Sequence, residues 1–486
     1  MHVAFVNPQG NFDPGNSYLA SHPDFGGQLV YVREVARTLE EMGHKVDILT
    51  RRIVDPDWPE FSAETDSYPG HPNLNIVRVP CGPDAFLPKE QLWPYLGEWV
   101  EGIAGWYGGS WPGLWTGHYA DGGLCAALLE EASGAPFTFT GHSLGAWKLD
   151  LLLEGKEDLS TADTRYNFGA RIQAERTALA RSAAIVTNST AERREQYGHP
   201  AYRDIADPER DDRFAVIPPG VNLEIFDPAA RSQWEDEVRA TILAAHERDI
   251  APNRRDLPAV IAWSRLDPKK NHLALVQAFA QSPDLRERAN LLIITRGLDD
   301  PLREPEEAPD EQRAVLRDVV SEVERSDLGG CVSAFSLSGQ SALAALYRWG
   351  ADRRGAFCLP AEYEPFGLTV VEAMAVGLPV VATSNGGPRE ITDEGKAGLL
   401  ADPHDPMDIA AKLLRLFSEE DTWQAYAERG RDRAVRVYSW RRTAEGYLTL
   451  AEEISQGQRR GDTDFPLPEF VERPGPLPRL GRWKTD

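Results

Sequence analysis

Short apolar runs alternate with amphipathic stretches along the whole chain. In the first half, "HVAFVNP", "KVDILTR", "NIVRVP", "LWTGHY", "PFTFT", "AAIVTNS" and "FAVIPPGV" read as buried strands. Helical patterns lie between them, the first from about Gln28 to Met42 and another through "LCAALLEEA". After about residue 255 the alternation restarts with "AVIAWSRL", "NLLIITRG", "CVSAF", "GAFCLPA", "PVVATS" and "AGLLADP". A helical tail follows from about Asp421 to Ile454, and then the Pro-rich "DFPLPEFVERPGPLP". Strand–helix alternation predicts parallel sheets covered on both faces. Pro218, Pro219 and Gly220 read as a hinge between the two series. The expected fold class is therefore α/β, with two doubly wound, Rossmann-like domains facing a cleft. Residues 1–218 form the first domain and 219–454 the second, and the tail 455–486 packs back on the first. Ligands of such sheets bind beyond the carboxyl ends of the strands, so chemistry is sought in the loops that follow strands.

Composition narrows the function. A chain of 486 residues is too long for one core. Its net charge of -24 argues against nucleic acid and against an anionic membrane surface. No apolar run approaches the roughly 20 residues needed to span a bilayer. Met1 leads directly into a strand and not into a signal peptide. Cys81, Cys125, Cys331 and Cys358 are scattered, without metal or redox spacing. A reducing cytoplasm is the expected compartment. Lysine is scarce beside arginine, so each lysine near a motif stands out.

Four segments carry candidate chemistry. In "EPFGLTVVEAMAVGLPVVATSNGGPREI" a helix begins after a Phe-Gly turn and ends at Gly377 and Pro379. A helix start exposes unpaired N–H groups and suits a phosphate. Glu364 would sit beside whatever the phosphate is attached to, and Glu372 would reach a diol. The alternative is a capped core helix with two solvated glutamates. "SRLDPKKNH" follows the first strand of the second series; Arg265 and Lys270 either face a diphosphate or belong to a solvated basic loop. "DFGGQ" opens the first helix, where Gly26 and Gly27 let a ligand approach the backbone and Gln28 starts the helix. "GHSLG" fits the G-x-S-x-G nucleophile elbow and would make Ser143 the nucleophile of a hydrolase. The bulky, charged Trp147, Lys148 and Asp150 that follow argue against it. The other reading gives His142 to a sugar hydroxyl, or to a structural turn. Lys89 in "FLPKE", Lys148 in "AWK" and Arg171 in "RIQAER" taken singly read as surface cations. Asp55-Pro56-Asp57 is the one early D-x-D and reads as a solvated turn, so neither a metal nor a cofactor is expected.

"EPFGLTVVEAM" resembles the E-x7-E motif of family 4 glycosyltransferases of GT-B fold, "SRLDPKKN" their donor-phosphate loop and "FGGQ" their glycine loop. Similarity extends through "NPQGNFDPGNSYLASHPDFGGQLVYVREVA", "FLPKEQLWPYL" and "FTGHSLGAWK", over essentially the whole chain. The resemblance implies a retaining transfer of glucose from a nucleotide-glucose, UDP-glucose first among the donors, to fructose 6-phosphate. A mannosyl donor, or free fructose as acceptor, are the alternatives within the family. It further implies that Arg265, Lys270 and the amides of Phe366, Gly367 and Leu368 hold the donor diphosphate. Glu372 takes the ribose, Glu364 the transferred sugar and His142 its 6-hydroxyl, with Gly27 beside the donor. Gly26, Gln28, Lys89, Tyr119, Lys148 and Arg171 line the acceptor, with Asp121 at its border and the three cations on its phosphate. "DTDF" near residue 464 follows no strand and is not read as a phosphatase nucleophile, so dephosphorylation is expected of a separate phosphatase.

Overall fold

The computed structural model describes residues 1–18, 27–154, 157–231, 233–472 and 476–480. The chain divides into two units, Met1–Pro218 with Trp440–Asp486, and Pro219–Ser439. The first unit holds β1 (His2–Val6), β2 (Lys45–Arg51), β3 (Thr65–Ser67), β4 (Leu74–Val79), β5 (Leu114–His118), β6 (Phe137–Thr140), β7 (Ala184–Thr187) and β8 (Phe214–Val216). Their order across the sheet is β3-β4-β2-β1-β5-β6-β7-β8. Only β3 runs antiparallel, along β4. It was not legible in the sequence because "TDS" is polar and lies at the sheet edge. The other strands are buried almost throughout.

The second unit holds β9 (Ala259–Trp263), β10 (Asn290–Thr295), β11 (Val332–Ser336), β12 (Ala356–Leu359), β13 (Val380–Thr383) and β14 (Leu399–Ala401). Their order is β11-β10-β9-β12-β13-β14, all parallel. Renumbered within the unit this is 3-2-1-4-5-6, the doubly wound order of dinucleotide-binding sheets. The strand order reverses between β9 and β12 here, and between β1 and β5 in the first unit. Loops leaving those strands diverge and leave a crevice for a ligand.

One boundary departs from the sequence reading. Helix Trp440–Ser455, assigned above to the second domain, belongs to the first unit. Its Ala444, Tyr447, Leu450 and Ile454 share a core with Phe5, Val32 and Val35. The preceding helix, Glu420–Val437, stays in the second unit, and the break falls at Tyr438 and Ser439. Neither Gly nor Pro marks that break, so the two helices read as one. Among the described residues of the tail, Phe470 lies edge-on to Trp93, and Asp163 accepts from the Leu480 amide at 3.2 Å.

Candidate active site

The second unit gathers its candidate residues at the strand-order reversal. The loop after β9 forms a short turn, Pro268–Lys270, capped by Asp267, whose carboxylate accepts from the Lys269 amide. The loop after β12 leads to helix Leu368–Val376. The two loops are tied by the Glu362 amide, which donates to the Lys269 carbonyl at 2.9 Å. Lys270 Nζ then reaches Glu364 Oε2 at 2.6 Å, so the expected phosphate cation and the expected sugar carboxylate form a half-buried ion pair. Arg265 is exposed and makes no ion pair among the described residues. The amides of Phe366, Gly367 and Leu368 donate to no described acceptor, as a helix start dictates. Gly367 takes φ +107, which glycine alone adopts readily. The turn is clamped from behind, where the Gly387 amide donates to the Glu364 carbonyl at 2.9 Å. A Cβ on Gly387 would meet the Phe366 carbonyl oxygen at 2.4 Å, so that position must stay glycine.

Glu372 is buried one turn further on, hydrogen-bonded to the Gln340 side chain and influenced by Arg296. Burial pushes its carboxyl up to about 8, with the Gln340 bond and Arg296 pulling the other way. From its ordinary 4.5, this glutamate holds a proton at neutral pH that the unfolded chain gives up. Its contribution to stability is complete below pH 4.5 and is lost as pH rises through about 8. A diol donating to the carboxylate favours the ionised form. If the nucleotide ribose expected from the sequence docks on Glu372, its binding at pH 7 should release a proton, and affinity should rise between about pH 6.5 and 8.5. Titration calorimetry in buffers of different ionisation enthalpy reads that proton, and Glu372→Gln should abolish it. An equal release by the variant would assign the proton to another group.

In the first unit, Asn7 follows β1, and Gln28 in helix Gly27–Glu41 donates to Asn7 Oδ1 at 2.8 Å. A Cβ on Gly27 would meet no atom of a described residue within 4 Å. Gly26 lies outside the described residues. Tyr119, at φ +61, starts helix Tyr119–Ser133 and lies with its ring 5.4 Å from the ring of His142. Arg171 and Lys89 both act electrostatically on Tyr119 and on Asp121. Burial, then Arg171 and Lys89, pull the Lys148 ammonium down from its ordinary value. Lys89 and Arg171, from two other segments, thus act on Lys148 as well as on Tyr119 and Asp121. Lys148 Nζ also lies 4.4 Å above the Tyr166 ring. Burial raises Asp121 to about 7, against the backbone amides of Asp121 and Gly122 and, after them, Arg171 and Lys89.

Several residues holding this set were missed in the sequence. Glu175, fully buried, accepts from Arg171 Nε at 3.0 Å and from the Gly145 amide at 2.8 Å. The signal was present in "RIQAE", a helical i,i+4 pair. Arg51 closes β2 and donates to the carbonyls of Pro83 and Ala85, tying down the loop that leads to Lys89. Asp55, in the D-x-D turn, spends its carboxylate on the amides of Asp57 and Phe86, at 3.0 and 3.1 Å.

The hydrolase reading of Ser143 is corrected. In a nucleophile elbow the strained residue is the serine. Here His142 takes φ +54, and Ser143 has no histidine partner among the described residues. His142 instead faces His118, with Nε2 and Nδ1 2.7 Å apart.

A family model described as "Glycosyl transferases group 1" matches residues 245–433, and one described as "Glycosyl transferase 4-like domain" matches residues 26–205. A probable sucrose-phosphate synthase of Thermosipho melanesiensis is 39% identical over 97% of this chain and 99% of the relative. The chain belongs to the group 1 glycosyl transferases. Within that family it stands among the sucrose-phosphate synthases, as a hexosyltransferase of GT-B fold. The sucrose-phosphate synthase of Zea mays is 34% identical over 92% of this chain, which spans 47% of that longer relative. Among solved structures, a sucrose-phosphate synthase from Thermosynechococcus elongatus matches 94% of this chain and 100% of its own, with TM-score 0.66 and 25% identity. A starch synthase catalytic domain from Arabidopsis thaliana shares the fold at TM-score 0.61 and 14% identity, over 93% of this chain and 99% of its own. Among the described residues, no helix is long and apolar enough to cross a membrane.

Proposed function

We propose that this glycosyl transferase moves glucose from a nucleotide-glucose, UDP-glucose first, to the 2-hydroxyl of fructose 6-phosphate, giving sucrose 6-phosphate and the nucleoside diphosphate. The observation that carries the acceptor is that Lys89 and Arg171 both act electrostatically on Lys148, from three separate segments of a chain of net charge -24. Like charges gathered without a ligand are costly, and a phosphate dianion relieves that cost. On this reading the second unit holds the donor: Arg265, Lys270 and the Phe366–Leu368 amides take the diphosphate, Glu372 the ribose and Glu364 the sugar. His142 bonds the sugar's 6-hydroxyl.

The bond from the anomeric carbon to the phosphate oxygen breaks, and a bond to the fructose oxygen forms on the same face. The leaving phosphate takes the hydroxyl proton. Preorganised cations and amides stabilise the charge as it develops. The product is a phosphate monoester, which a separate phosphatase would consume. Four buried, unpaired thiols suit a reducing compartment, and we place the activity in the cytoplasm.

The test crosses UDP-, ADP- and GDP-glucose and GDP-mannose with fructose and fructose 6-phosphate. Turnover of a glucosyl donor with fructose 6-phosphate alone is expected. Equal rates with free fructose would move the chain to a sucrose synthase-like reading, and preference for the mannosyl donor to the mannosyl one.

A further inference from the structure

The parallel register of β5 and β6 pairs His118 with Thr140, which places His142 two residues beyond and beside it. Thr116 and His118, two apart on β5, point to one face, and both are fully buried. Thr116 Oγ1 lies 3.1 Å from His118 Nε2, and His118 Nδ1 lies 2.7 Å from His142 Nε2. The two imidazole planes are only 25° from parallel, with centroids 5.0 Å apart. With nitrogens so close, the rings meet edge to edge and share one proton. Tyr31 stands edge-on to His142, its centroid 5.3 Å away. Tyr31 also donates to Tyr447, which shares a hydroxyl contact with Thr140. Only Nδ1 of His142 bonds to no described residue.

We propose that His118 is the positioning residue for His142, fixing its ring and its tautomer through a one-way chain of hydrogen bonds. The Thr116 hydroxyl donates to His118 Nε2, His118 Nδ1–H donates to His142 Nε2, and His142 is left to donate Nδ1–H to a ligand hydroxyl. A proton shared between the two rings forces matching tautomers, because only one of the two facing nitrogens carries it. Burial supports the neutral forms this requires: it lowers His142 to about 3 and His118 well below its ordinary range. Nothing else described holds the His142 ring nitrogens, and the left-handed backbone at His142 keeps the ring aimed at His118. The inference rests on the reading that His142 bonds the donor sugar.

Asparagine reproduces the Nδ1 position of a histidine and glutamine the Nε2 position. His118→Asn therefore keeps the contact to His142, whereas His118→Gln keeps only the contact to Thr116. His118→Asn should retain turnover within a few fold. His118→Gln should lose up to about 10²-fold in turnover, the scale of misplacing a catalytic contact by an ångström, with the Michaelis constant for the acceptor little changed. Nitrogen-15 spectra of the unaltered protein should show both imidazoles neutral with Nδ1 protonated from about pH 5.5 to 8.5; no variant needs to fold for that reading. Equal turnover in His118→Gln and the parent, or an Nε2–H tautomer at His142, would overturn the inference. If His142→Ala itself leaves turnover unchanged, the reading of His142 falls first.

Discussion

Lys270→Ala and Arg265→Ala are each expected to lower turnover at least a hundredfold while the acceptor still binds. Removing one donor that stabilises a developing oxyanion typically costs on the order of 10²–10³ in turnover. Lys270 stands on the turn after β9 and is held by Glu364 at 2.6 Å. Arg265, exposed and without an ion pair to a described residue, has its fork available for a diphosphate. On the proposed function, these two cations and three helix-start amides supply the positive charge at the donor diphosphate. A chelator should therefore leave most of the activity intact. The check is a steady-state assay with and without EDTA, alongside both variants. Abolition by EDTA with rescue by magnesium would contradict this mechanism. Near-normal turnover in either variant would return that residue to a solvated loop.

Lys89→Ala and Lys148→Ala are expected to raise the Michaelis constant for fructose 6-phosphate about tenfold or more, with smaller effects on the donor. Charge-assisted hydrogen bonds are worth roughly 1.5–3 kcal/mol each, and about 1.4 kcal/mol is a factor of ten. Both lysines act on the same surroundings as Arg171. Arg171 is a poorer probe, because its loss would strand the fully buried Glu175 without its cation. Initial rates over a range of each substrate separate the two effects. An unchanged acceptor constant in both variants would dissociate the cation cluster from the acceptor.

Apart from β3, the strands were legible because both sheets are parallel and buried on two faces, so their sequences are continuous apolar runs. β3 was hidden by its polar edge position. Helix Trp440–Ser455 was misplaced because its apolar face repeats at the same period as the helix before it. The individual candidates at strand ends were legible as residue types, but their pairings were not. Lys270 and Glu364 are 94 positions apart and meet only because β9 and β12 are neighbours where the strand order reverses. His118 lay inside the motif "GHYADGG" yet read as the last residue of a core strand, and only the β5–β6 register brings it to His142. Glu175 sat four residues from a named cation, unnoticed because a buried carboxylate and a solvated one look alike in sequence.

The most direct measurement is carbon-13 NMR of the reaction of fructose 6-phosphate with UDP-glucose labelled at the anomeric carbon. The expected spectrum shows the label moving into α-configured sucrose 6-phosphate as the donor signal disappears. Label appearing as free glucose, as a β-linked product, or in sucrose only when free fructose is supplied would contradict the proposed transfer.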